Sequence, residues 1–129
     1  MASIDAIEGI SHKHATSLRK ARIRTVEALL KNGATRKGRR DIAAATNISE
    51  KLILEWVNRA DLMRVRGVGE EYSDLLEAAG VDTVKELRRR NPGNLLAAMV
   101  EVNSKQRLVR RLPTGAMVER WVEHARELD

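Results

Sequence analysis

Sliding the sequence along itself by 58 residues, the step from Gly9 to Gly67, lays like on like. Leu18 meets Leu76, Ala21 meets Ala79, Ile23 meets Val81, Thr25 and Val26 meet Thr83 and Val84, and Leu29 meets Leu87. A second match returns at a step of 65, where LILEWVNRA (Leu52 to Ala60) aligns with MVERWVEHA (Met117 to Ala125). Self-similarity at a fixed step means one supersecondary unit used twice, and no other feature restricts the fold as much. The two steps differ by about seven residues, so the second copy carries an insertion, expected around Val100 to Arg111. The boundary is expected near Asp61 to Arg64, giving domains 1–62 and 63–129. No Pro- or Gly-rich linker marks it, so the last helix of the first copy should run almost directly into the second.

The residues available for a core fix the class of that unit. Phe is absent, there is one Tyr, and aromatics are 2% of the chain, so Leu, Ile, Val, Ala, Met and two Trp must fill the interior. Ala and Leu favour helix, whereas strands draw on aromatic and β-branched residues. The expectation is an all-α protein with about five short helices per copy. Ser11, Thr25, Thr35 and Ser49 are placed to cap helix starts with their hydroxyls. A helix over 12–21 turns Ala15, Leu18 and Ala21 to one side, at helical spacing. The next is expected to end at Gly33, and the basic helix after Thr35 to turn Ile42 and Ala45 inward. Leu52, Ile53, Trp56, Val57 and Ala60 form an apolar stripe that Met117, Val118, Trp121, Val122 and Ala125 repeat. Trp56 and Trp121 therefore read as core anchors rather than base-stacking platforms.

Gly67-Val68-Gly69 stands at a sharp turn into a helix, and Gly9-Ile10-Ser11 is its earlier counterpart. Amides at a helix start lack intrahelical partners, and the helix dipole adds partial positive charge. Together they can seat a phosphate oxygen. The pattern apolar-x-Gly-apolar-Gly before a helix rich in small residues resembles the helix-hairpin-helix motif. The longer pattern ending in AGVDTVKEL resembles the paired helix-hairpin-helix domain at the N-terminus of archaeal and eukaryotic recombinases. It is also similar to the C-terminal domain of the bacterial RNA polymerase alpha subunit. Over nearly its whole length the chain resembles a bacterial family of unknown function with tandem hairpins.

That resemblance implies two tandem five-helix paired helix-hairpin-helix domains and sequence-independent contact with a nucleic-acid backbone, duplex or structured DNA. Carried over, it places a first phosphate seat at Gly9, Ile10 and Ser11 with Lys13 beside it. A second lies at Asn47, Ile48 and Ser49 with Lys51. A third lies at Gly67, Val68 and Gly69 beside Arg64 and Arg66. Ser11 replaces the second glycine of the first turn, and Asn47 replaces a glycine in the second, at a position Asn tolerates in left-handed backbone. Glu70 and Glu71 follow the third turn and repel phosphate. RLPTGAM, where a fourth turn would fall, lacks the pattern, and Pro113 and Thr114 there read as an ordinary helix start.

The charge distribution bears on the partner. Net charge is +6; residues 1–62 hold 12 basic and 7 acidic side chains, and residues 63–129 hold 12 and 11. A basic first half suits a polyanion. The runs RKARIR, RKGRR, RRR and KQRLVRR carry the excess, although each alone is also what a solvated helix face looks like. The alternative function is a protein-interaction or scaffold module whose hairpins serve only packing. An enzyme is not expected: no Walker lysine pattern follows the glycines, and no catalytic carboxylate can be placed. Nor is a metal or other cofactor, since His12 and His14 are two apart and do not share a helix face. Cysteine is absent and Lys13 is the first cation, which points away from a disulfide framework and a signal peptide and toward the cytoplasm. The longest apolar run, Leu95 to Val100, falls far short of the roughly 20 residues that span a bilayer.

Overall fold

A computed structural model describes residues 2–7 and 9–128. Helices account for the regular structure among these residues: a 3-10 turn at Ile4–Ala6, then α1 (His12–Lys20), α2 (Val26–Asn32), α3 (Arg36–Thr46) and α4 (Glu50–Leu62). There follow α5 (Glu70–Ala78), α6 (Val84–Leu87), α7 (Pro92–Gln106) and α8 (Gly115–Glu127). The chain divides into two compact units, Met1–Ala60 and Asp61–Asp129, and the division falls inside the last turn of α4.

In the first unit each helix starts where a hydroxyl can hold an orphan amide. Ser11 Oγ accepts from His14 N–H at 3.2 Å, Thr25 Oγ1 from Ala28 at 3.0 Å, Thr35 Oγ1 from Gly38 at 3.0 Å, and Ser49 Oγ from Leu52 at 3.2 Å. The core collects Ala15 and Leu18 of α1, Val26 and Leu29 of α2, Ile42 of α3, and Ile53, Trp56, Val57 and Ala60 of α4. Leu52, expected in the stripe, is half-buried, because it lies at the stripe's edge in the first turn of α4. Ala45, also expected inward, is exposed and lines a shallow cleft with Arg22 and Asn32. Gly33 follows α2 as its cap, and the close packing there favours glycine: a Cβ would fall 2.5 Å from Val57 Cγ2. Before α1, Ile4 and Ile7 are fully buried, and residues 2–4 lie along 24–26. Ile4 N–H donates to Arg24 O at 3.1 Å and Val26 N–H to Ala2 O at 3.0 Å, with an antiparallel bridge between Ser3 and Thr25.

Among its described residues the second unit has four α-helices and no separate 3-10 turn, and Leu62 and Val65 are both buried in its core. Asp61 makes the contact to the start of α6 that main chain makes in the first unit, its Oδ2 accepting Val84 N–H at 2.8 Å. Residues 58 apart take matching geometry. Ile23 N–H donates to Leu18 O at 2.9 Å and Val81 N–H to Leu76 O at 2.9 Å; between them Arg22 has φ +68° and Gly80 φ +97°. The His14 ring lies 5.2 Å from that of Trp56 at 54°, and the Tyr72 ring 5.2 Å from that of Trp121 at 51°. Where the units differ most is the last connection, Asn47–Ser49 between α3 and α4 against Arg107–Thr114 between α7 and α8.

Candidate nucleic-acid interface

The first turn is held open by its backbone. Gly9 has φ +91°, a region that costs glycine nothing and an L side chain dearly. A Cβ there would lie 2.9 Å from Arg59 Nη1 and 3.7 Å from Trp56 Nε1. Ile10 follows half-buried, with its N–H donating to Ile7 O at 3.3 Å. Ser11, His12 and Lys13 are exposed, and their amides meet no acceptor among the described residues. Ser11 spends its hydroxyl on His14, so it closes one amide of the mouth and leaves three facing water. The Lys13 ammonium makes no ion pair among the described residues.

The second turn reaches the same end by another residue. Asn47 caps α3 in the left-handed conformation, φ +59°, with its N–H on Ala43 O at 2.8 Å. Ile48 is buried and pegs the turn to the core, while its N–H donates to Thr46 Oγ1 at 3.3 Å. The amides of Ser49, Glu50 and Lys51 meet no acceptor among the described residues, and the exposed Lys51 side chain makes no ion pair with a described residue. An acid, Glu50, occupies the first helical position here.

The third turn has the freest backbone and the least favourable charge. Gly67 has φ +87°, and a Cβ on it would lie 3.0 Å from Trp121 Nε1. Val68 is buried, the same peg as Ile48. Gly69, by contrast, is extended at φ −100° with empty space around its missing side chain, and α5 begins without a side-chain cap. Arg64 is not turned to the mouth: its Nε and Nη2 bind Asp61 Oδ1 at 3.0 and 2.8 Å. Arg66 reaches Glu127 at 3.9 Å, and its N–H donates to His124 Nδ1 at 3.0 Å. In that bond the ring's Nδ1 is the acceptor. Glu70 and Glu71, both exposed, head α5. A cleft of about 550 Å³ opens beside this turn, lined by Arg66, Gly67 and one face of α8. At the place of a fourth turn, Thr114 Oγ1 accepts from Met117 N–H at 3.1 Å, an ordinary capped start.

The three turns thus lie as two in the first unit and one in the second. Asp61 and His124 are the partners that sequence inspection missed. At the two alignment steps they pair with Ser3 and Arg59, so no identity pointed to them. Among the described residues, no group of three His, Asp or Glu could hold a metal ion, and no helix is long and apolar enough to cross a membrane.

This geometry defines an all-helical chain of two small units, several of whose helices are joined through a residue in the left-handed conformation. The chain belongs to the family described as a domain of unknown function (DUF4332), whose sequence pattern it matches over residues 8–128. No curated protein and no solved structure matches it.

Proposed function

We propose that the chain is a non-enzymatic module that binds nucleic-acid backbone without reading sequence, chiefly through the turns ahead of α1 and α4. The observation that carries this is the pairing, twice in the first unit, of three helix-start amides with an exposed lysine, none of which meets a partner among the described residues. Such amides offer directional donors to a phosphate oxygen, and the lysine adds charge without demanding a base. The turns are helix-hairpin-helix in kind on this reading, and the two units descend from one. Supporting the duplication are the matched glycine, arene and helix-end geometries 58 residues apart. The cytoplasm is the compartment that fits a cysteine-free cationic chain.

The test is a mobility shift of the full chain on a duplex between 50 and 200 mM salt. Binding should weaken steeply as salt rises, and two unrelated duplex sequences should bind equally. Lys13→Glu with Lys51→Glu should reduce the log–log salt slope by about 1.8, two phosphates at about 0.9 each. Failure to bind at 50 mM salt would sink the proposal.

A second reading, a protein-interaction module, is favoured by the second unit. There Arg64 is neutralised by Asp61, two glutamates stand at the mouth, and the cleft beside Gly67 carries both signs of charge.

A further inference from the structure

The connection Arg107–Thr114 has eight residues where Asn47–Ser49 has three, and the added length is not slack. Arg107 N–H closes α7 on Asn103 O at 2.9 Å. The Asn103 side chain then brackets Val109, donating from Nδ2 to its carbonyl at 3.1 Å and accepting its N–H on Oδ1 at 3.0 Å. Val109 itself is plugged into the core. Tyr72 Oη donates to the Arg111 carbonyl at 3.1 Å, and Pro113 is buried. A loop held at these points has little freedom left to lose.

What it turns outward is cationic. Arg107, Arg110 and Arg111 are exposed, and none of their guanidinium groups bonds to a described residue. Lys105 is matched by Glu101 at 3.5 Å, but no acid occurs from Ser104 to Val118. Arg107 also sits at φ +50°, a helix-end position that glycine or asparagine fills with less strain. Neither capping nor core packing asks for three arginines here.

We propose that this loop is a second phosphate-binding element, gripping nucleic-acid backbone through arginine forks. It rests on the nucleic-acid reading above. It moves the second unit's contact from the Gly67–Gly69 turn, where acids oppose it, to a rigid loop that the first unit lacks. A guanidinium is planar and meets phosphate with two parallel bonds, and a preformed loop loses little freedom on binding.

The experiment compares the full chain with Arg107→Gln/Arg110→Gln/Arg111→Gln on a mixed-sequence 30-base-pair duplex from 50 to 200 mM salt. Near-UV circular dichroism of the tryptophans verifies the fold of each variant. The salt slope should fall by up to about 2.7, three phosphates at about 0.9 each. A second variant, Arg110→Lys/Arg111→Lys, keeps the charge and loses the forks; it should bind more weakly than the parent with its slope retained. A parent that binds while the glutamine variant keeps its full slope overturns the loop proposal and leaves the first-unit turns standing. A parent that does not bind overturns both. Equal loss of affinity for poly-glutamate in a parallel titration overturns the phosphate assignment in favour of an acidic protein partner.

Discussion

Gly67 and Gly69 are separated by one valine and have different jobs. Gly67 holds a positive φ over the edge of Trp121, so Gly67→Ala should cost about 1–2 kcal/mol in a urea unfolding curve. Gly69 is extended in open space and heads a helix that lacks a side-chain cap. Gly69→Ser would supply the hydroxyl that Ser11 gives α1, and should stabilise by about 0.5 kcal/mol. Opposite signs from two glycines two residues apart would be hard to obtain from any other arrangement of this turn. Asp82 gives a further residue-scale test. Burial, and then the nearby Glu86 and Glu77 carboxylates, push its pKa above the ordinary 3.8. A raised value means the fold penalises the ionised form. The penalty is absent below 3.8, grows as pH rises from 3.8 toward the folded value, and is complete above it. Asp82→Asn should therefore raise the melting temperature at pH 7 and leave it unchanged at pH 3.

At the scale of elements, stability is decided at helix ends. α6 is four residues long, too short to persist alone, and it depends on its start: Thr83 Oγ1 takes Glu86 N–H at 3.2 Å and Asp61 takes Val84 N–H. Asp61→Ala should cost about 1–2 kcal/mol and speed exchange of the Val84 amide, because it removes a charged acceptor that binds both Val84 N–H and Arg64. The helix starts were legible because Ser, Thr and a following apolar period announce themselves chemically. The positive-φ residues were legible only where glycine or asparagine stood. Arg22 and Arg107 take the same conformation where local bonds close the ends of α1 and α7, and their side chains carry no sign of it. Ile4 and Ile7 were missed because two apolar residues before the first helix show no period. Ala45 was misplaced because alanine is small enough to suit either side of a helix.

Across the whole molecule, composition settled the all-helical class, and charge counting located an excess of cations without saying which are spoken for. Arg19 pairs with Asp5, Lys37 with Asp41 at 3.6 Å, and Arg39 with the Gly33 carbonyl at 2.9 Å. Lys20, Arg22, Arg24, Arg36 and Arg40 remain exposed. Such pairings depend on which helix faces which, and spacing along a chain does not encode that. A net charge of +6 with many unmatched cations implies self-repulsion in the folded state. Raising salt from 10 to 200 mM should therefore raise the thermal midpoint in the absence of ligand, while it weakens any hold on nucleic acid.

Each unit also keeps one indole directly beneath the glycine of its leading turn. The chain has two tryptophans, so replacing either with phenylalanine leaves a single indole stationed under one known bend. Whatever touches that bend, whether phosphate, peptide or denaturant, would change the colour of its light. The protein carries its own pair of reporters, one for each half, and needs no dye to show which half has been visited.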